Sequence, residues 1–463
     1  MHKTVVLNVV GLTPSLLGEH TPFLSKWAAL GQIASIKPVL PAVTCSVQAS
    51  YLTGKYPQDH GIVANGWYFR DECEVKFWRQ SNKLVQAKKI WEAVRTLNPT
   101  FTCANLFWWY NMYSSVDISV TPRPMYPADG RKIPDIYTQP ADLRFKLQER
   151  LGTFPLFEFW GPKTTIRSTQ WIASSAIAVE EMYSPTLTLI YLPHLDYCLQ
   201  RLGTDPSAIA CDLQEVDAVC QSLIEFYESH SAKVIVLSEY GITSVNRAVS
   251  LNRVLREHGY LAIREELGRE LLDPGASTAF AVADHQIAHI YISDCNKIAE
   301  VQQLIEQVPG VDFVLGEEGQ AAYHLNHPRS GALVAVAAPD AWFTYYYWLD
   351  DNKAPDFART VDIHRKPGYD PVELFVDPAI RWQQLKVAKI LLQKQLGFRT
   401  LMDIIPLDAS LVKGSHGRIP TSTDEAPLLM TRDCAFKSTR GDRLPHSTLE
   451  STDVYDVILS HLL

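Results

Sequence analysis

A mostly parallel α/β sheet covered by helices on both faces, carrying a small α+β insertion, is the fold this sequence predicts. Three observations predict it. Runs at 4–12 (TVVLNVVGL), 184–192 (SPTLTLIYL) and 232–240 (AKVIVLSEY) are nearly continuous in Val, Ile and Leu, as strands buried on both faces must be. Each is followed by a loop and then by residues of helical periodicity, the alternation that builds a parallel sheet. Between about 250 and 340 the texture shifts to a β-α-β piece with a return strand, which reads as an insertion.

In chain order, 4–12 is the first strand and TPFLSKWAALG (21–31) the helix after it. AFAVADHQIAHIYIS (279–293) alternates like a strand, KIAEVQQLIEQV (297–308) reads as an amphipathic helix, and VDFVLG (311–316) and GALVAVAA (331–338) are further strands. The aromatic run WFTYYYW (342–348) reads as an interface cluster before it reads as a substrate wall. These divide the chain into a first core part (1–249), a cap-like insertion (250–340) and a second core part (341–463).

The chain has 463 residues, 43 Lys+Arg against 51 Asp+Glu, and a formal net charge of −8. That length supports a large core, and the acidic balance speaks against a nucleic-acid polymer as partner. No apolar run approaches the roughly 18 residues of a membrane span, and the apolar stretch near the N-terminus is too short for a signal peptide. Eight cysteines without a CxxC pair predict reduced, mostly buried thiols and a cytoplasmic setting.

In such sheets the strand C-terminal ends carry the chemistry, which singles out Asp196, Glu239 and Tyr240. The richest segment is Pro41 to Tyr68 (PAVTCSVQASYLTGKYPQDHGIVANGWY). Thr44 lies in a turn of small and polar residues, and Ser46 to Leu52 continues as a helix. A hydroxyl there sits among unpaired N–H donors in a positive potential, which suits a nucleophile that attacks phosphorus. An N-cap is the commoner role for such a threonine.

With LTGKYPQDHGIVAN (52–65) the segment resembles the nucleophile region of the alkaline phosphatase superfamily, in its type I phosphodiesterase/nucleotide pyrophosphatase branch. VVLNVVGLTP (5–14), YLPHLDYCLQRLG (191–203), VIVLSEYGIT (234–243) and KGSHGRIP (413–420) are similar to that family's other landmarks, in family order. The resemblance implies an alkaline-phosphatase-like fold, a phosphoric ester hydrolase with Thr44 as nucleophile, and two divalent metals, zinc or manganese. It implies Asp196 and His416 as metal ligands. It also exposes departures: the first-strand Asp falls on Val10, with Asn8 the nearest polar residue. The His four residues after Asp196 is Gln200, the Asp-His pair is Glu239-Tyr240, and the phosphate-holding Asn is Val47, beside Gln48.

VDIHRKPGYDP (361–371) offers replacement ligands, since in an extended segment Asp362 and His364 point the same way. His194 and Asp196 share a face on the same reasoning. The expected metal set is therefore Asp196, Glu239, Asp362, His364 and His416, with Asn8, Gln48, His194 and Tyr240 as substrate contacts. His60 reads as structural, as do His285 and His289. NGWYFRDECEVKFWRQSNKLV (65–85) reads equally as an edge hairpin or as a phosphate- or sugar-binding stretch. The substrate expected is a small phosphate or phosphonate ester. Other chemistry of the superfamily (phosphonate hydrolysis, phosphomonoester hydrolysis, phosphotransfer) is the alternative, and a non-hydrolysing binder of a phosphorylated ligand is the third reading.

Overall fold

The structure, a computed structural model, describes residues 1–433, 436 and 448–463. The strands of its two larger sheets are β1 (Thr4–Val9), β2 (Gln32–Lys37), β3 (Cys103–Leu106), β4 (Ile118–Pro122), β5 (Ile136–Gln139), β6 (Leu187–Leu192), β7 (Lys233–Leu237), β8 (Ala279–Asp284), β9 (Ile287–Ile292), β10 (Val311–Leu315), β11 (Leu333–Ala337), β12 (Leu428–Thr431) and β13 (Thr448–Glu450). Nine form one mixed sheet in the order β13-β2-β12-β7-β1-β6-β3-β4-β5. The central run from β7 to β4 is parallel, and β12 enters antiparallel beside β7. Every residue of β1 and of β6 is buried, which is why both read as unbroken apolar runs. Each such side chain contributes roughly 1.5–3 kcal/mol of burial.

The helices include α1 (Pro22–Ala29), α2 (Thr44–Thr53), α3 (Ile166–Tyr183), α4 (His194–Leu202), α5 (Ala210–Ser229), α6 (Ile298–Glu306), α7 (Gln383–Gln395) and α8 (Asp453–Leu462). Within the large core, α5 packs on both α1 and α3, and α2 packs on α8. The stretch 279–293 is not one strand. It is a tight hairpin, β8 and β9, turning at His285 and Gln286, where His285 takes φ +60°. Three consecutive polar residues, Asp284-His285-Gln286, interrupt the apolar pattern at the turn. With β11 and β10 this hairpin makes a four-stranded antiparallel sheet in the order β8-β9-β11-β10, with its own core. The aromatic run 342–348 is buried in that second core or beside it.

Four of the seven described cysteines are buried, and Cys73, Cys211 and Cys295 are exposed; Cys434 lies outside the described residues.

Candidate active site

Thr44 is the first residue of α2, and Val43 before it holds the cap position without offering a side-chain cap. The threonine hydroxyl is thus not spent on the helix. It shares a 3.1 Å hydrogen bond with the Tyr240 hydroxyl, which in turn donates to Asp196 Oδ1 at 3.1 Å. Gln200 Nε2 donates to Asp196 Oδ2 at 2.8 Å, and the Tyr369 hydroxyl donates to Gln200 Oε1 at 2.9 Å. A line of five polar side chains therefore runs inward from Thr44, itself only 3% exposed.

Glu239 closes the other side. Asn8 Nδ2 and Gln48 Nε2 both donate to its Oε1, and Gln48 Oε1 accepts from the Trp109 backbone N–H at 2.7 Å. Burial pushes the Glu239 carboxyl up to about 8, against the opposing hydrogen bonds of Gln48, Asn8 and Thr44. Burial likewise pushes Asp196 up to about 7, against Tyr240 and Gln200. No lysine or arginine pairs with either carboxylate among the described residues.

The late loop clamps onto this centre. Ala42 N–H donates to the Gly417 carbonyl at 2.8 Å, and His416 Nδ1 bonds the Ala42 carbonyl at 2.8 Å, which makes that nitrogen the protonated one. Gly417 sits at φ +121°, with the Gln286 backbone nitrogen 3.1 Å from where a Cβ would stand, so a side chain is excluded there. His416 stacks on Tyr240 at 3.6 Å with 6° between the planes, packs on His285 at 3.7 Å, and His285 stacks on Tyr369 at 3.6 Å. His285 Nδ1 meets Asp284 Oδ1 at 2.8 Å, and Asn65 holds Asp284 through both its backbone and its side chain. Burial drives both imidazoles well below their ordinary pKa and raises Asp284 to about 6.

The structure thus brings together Thr44, Asn8, Gln48, Asp196, Glu239, Tyr240 and His416, and departs from the expected set at three residues. His194 turns away from Asp196, because both lie on the first turn of α4 rather than on a strand, and on a helix residues two apart do not share a face. Its Nε2 meets Asp212 Oδ1 at 2.8 Å on α5 instead. Asp362 and His364 do not join the centre either. Residues 362–365 form a turn, with Arg365 N–H on the Asp362 carbonyl at 3.2 Å, so the two side chains do not align as in an extended segment. Asp362 N–H donates to Glu373 Oε1, and His364 Nδ1 faces the Phe77 carbonyl at 3.4 Å. His60 is structural: it is buried and bonded to Ser50 Oγ and Ile62 N–H. The residues 65–85 form a hairpin in part, Gly66–Phe69 with Glu74–Phe77, and Arg70 bonds the carbonyls of Pro328 and Ser330. The sequence alone had His285 as structural and did not point to Asp284 or Tyr369. The signal that could have found Asp284 and His285 is the polar triplet Asp-His-Gln set inside an apolar strand pattern.

A two-metal centre does not fit these residues. Val10 and Tyr240 replace a carboxylate and an imidazole, and Gln200 replaces a second imidazole. Both oxygens of Asp196 already accept hydrogen bonds, and the Tyr240 hydroxyl is bonded to both Thr44 and Asp196. His416 Nε2, Glu239 Oε2 and Asn8 Oδ1 have no hydrogen-bond partner among the described residues, and His416 Nε2 faces Asp196 Oδ1 at 3.7 Å. Even so, the described residues hold just one group of three His, Cys, Asp or Glu donors within 4.8 Å of one another, and it is elsewhere: His194, Asp212 and Glu215 between α4 and α5.

Comparison with known proteins agrees with the fold. Human ectonucleotide pyrophosphatase/phosphodiesterase 5 superposes with a TM-score of 0.60 at 15% identity, covering 99% of this chain and 94% of its own. The mouse protein in an inactive form with AMP gives 0.59 at 15%, covering 100% and 95%. Phosphonoacetate hydrolase of Sinorhizobium meliloti with phosphonoformate gives 0.60 at 12%, covering 100% and 96%. In sequence, the chain is 25% identical over 256 residues to an uncharacterized pyrophosphatase/phosphodiesterase of Schizosaccharomyces pombe. The match covers 53% of this chain and spans 44% of that relative's length. The family model for type I phosphodiesterase/nucleotide pyrophosphatase matches residues 4–370, and with the landmarks around Thr44 in the same order the chain belongs to that family.

Proposed function

We propose that the chain hydrolyses small phosphoric or phosphonic esters, as a phosphodiesterase/nucleotide pyrophosphatase-type enzyme whose attacking group is Thr44. The observation that carries this is the line from the Thr44 hydroxyl through Tyr240 to Asp196. Thr44 gives its proton to the Tyr240 oxygen as Tyr240 passes its own to Asp196. The Thr44 oxygen bonds to phosphorus, and the bond to the leaving group breaks. The leaving group departs with the electron pair and takes up the proton. Water then attacks the phosphothreonine: its oxygen bonds to phosphorus, the Thr44 O–P bond breaks with the electron pair left on the threonine oxygen, and the proton the water loses returns along the same line to restore the Thr44 hydroxyl. No step runs through a metal, because the residues present do not fit the family's pair.

The charge of the site bears on the substrate. Asp196, Glu239 and Asp284 are buried without a lysine or arginine partner among the described residues, so wherever they are ionised a dianion meets more repulsion than a monoanion. Phosphodiesters and phosphonate monoesters are the substrate class this favours over phosphomonoesters. Residues 250–340 are then the cap over the site, contributing Asp284 and His285.

A chromogenic phosphodiester and the matching monoester test the reading together. Wild type is expected to turn over the diester faster, and Thr44→Ala to lower turnover by at least about 10³-fold with an unchanged melting temperature. Undiminished turnover in that variant would remove Thr44 from the chemistry. Preference for the monoester would point to the superfamily's other reactions. A second reading, a binder without turnover, is favoured by the way Tyr240 and Gln200 occupy Asp196. Its signature is saturable binding of a nucleoside monophosphate in calorimetry with no product formed.

A further inference from the structure

Helix α7 is built the wrong way round for a surface helix. Leu385, Leu392 and Leu396 stand at i, i+7 and i+11 and form one stripe, and a stripe of that kind ordinarily faces the core. Here it faces outward: Trp382, Leu385 and Leu396 are each 66% exposed, Leu392 57%, and Phe398 just beyond is 63%. The opposite side carries Ile390, which is buried, and Lys386, which pairs with Asp403 at 2.9 Å. Among the described residues nothing covers the stripe. Contiguous apolar surface of this kind marks a place where something docks.

The charge around it says what. Residues 378–402 contain Arg381, Lys386, Lys389, Lys394 and Arg399 and not one acidic residue, in a chain whose net charge is −8. Arg381, Lys389 and Arg399 are exposed. Arg399 Nη2 bonds the Ala128 carbonyl at 2.7 Å, tying the segment to a loop where Met125 and Tyr126 are also exposed, beside Arg123 and the ion pair of Arg131 with Asp129. Tryptophan and leucine flanked by cations, on a helix that lies along a surface, match the boundary of an anionic bilayer, where rings and alkyl chains enter the headgroup layer and cations meet lipid phosphates. None of the described helices is long and apolar enough to cross a membrane. We infer that the α7 face, residues 382–398, docks this protein on the surface of a membrane containing anionic lipid.

Sedimentation with vesicles tests this on the full chain. Vesicles of phosphatidylcholine with about a third phosphatidylglycerol are expected to carry down at least ten times more protein than phosphatidylcholine alone, and 0.5 M salt to release it. The double variant Leu385→Asp, Leu392→Asp, altered at exposed positions, is expected to lose at least ten-fold while keeping its circular dichroism and its melting temperature. The variant Arg381→Glu, Lys389→Glu is expected to lose preference for anionic vesicles. Absence of sedimentation, sedimentation indifferent to lipid charge, or a concentration-dependent dimer that Leu385→Asp, Leu392→Asp dissociates would each overturn the inference. Turnover of a soluble diester is measured separately, so this result and the fate of Thr44 are independent.

Discussion

Tyr240 touches Thr44 and Asp196 at once, so its hydroxyl is the one atom whose removal breaks the line without disturbing packing. Tyr240→Phe keeps the ring stacked on His416. It is expected to lower turnover by about 10²–10⁴-fold with little change in melting temperature; equal turnover in the two proteins would mean that Thr44 loses its proton by another route. Lys366 gives the opposite case, a residue held for stability. Its Nζ lies 2.7 Å from both Asp370 Oδ2 and Glu373 Oε1, and all three are buried. Lys366→Met strands two carboxylates in the interior and is expected to cost about 3–5 kcal/mol, read as a lower urea midpoint. At this scale Thr44, Asp196, Glu239 and His416 were legible, because a landmark motif surrounds each. His285 and Tyr369 were not, since their part in the centre depends on rings brought together from the hairpin and from residue 369, far apart in sequence.

The elements were legible where burial is uniform and illegible where the chain turns. β1, β6 and β7 are apolar along their whole length or nearly so, and no other local structure suits such runs. The stretch after β6 was read as extended, which put His194 and Asp196 on one face. Pro193 instead leads directly into α4, whose first residue is His194, and the spacing of polar residues over one turn is too short to show the switch. Helix ends are also completed from a distance. α1 begins after Thr21, which makes no side-chain cap, and its first free N–H groups are met across the helix interface: Asp217 on α5 accepts from Phe23 N–H at 2.9 Å and from Leu24 N–H at 2.8 Å. Asp217→Ala removes both acceptors and is expected to destabilise the protein by about 1–2 kcal/mol, while Thr21→Ala leaves this cap in place. A chemical-denaturation midpoint unchanged in Asp217→Ala would show that the cap contributes nothing.

For the whole molecule, pH reports how its interior is built. Burial lowers His60 to about 3 and His289 and His461 to about 4, from an ordinary value near 6.5. Each is neutral when folded: His461, for example, bonds the Thr431 hydroxyl through Nε2 at 2.9 Å and the Val457 carbonyl through Nδ1 at 2.8 Å. Above pH 6.5 both folded and unfolded chains leave these rings uncharged, and their contribution to stability is whole. As pH falls below 6.5 the unfolded chain binds protons that the native chain refuses, so stability is lost through the window down to the folded values near 4 and 3. The buried carboxylates Asp196, Glu239 and Asp284 act in the other direction, because their raised values favour the folded chain at low pH and give up that share as pH rises toward 6–8. The two sets oppose each other between pH 4 and 6.5, so the overall melting curve does not isolate either one. A single histidine does. Replacing His461 by Gln keeps an acceptor and a donor near Thr431 but removes the proton-binding site, and with it a pH-dependent loss of about 2 kcal/mol at pH 5. The difference in melting temperature between wild type and His461→Gln is therefore expected to shift in favour of the variant as pH is lowered from 7 to 5. A difference that stays constant over that range would mean the imidazole binds protons equally in the folded and unfolded chains, as a ring open to water would; a shift in favour of wild type would mean that folding raises its affinity for protons.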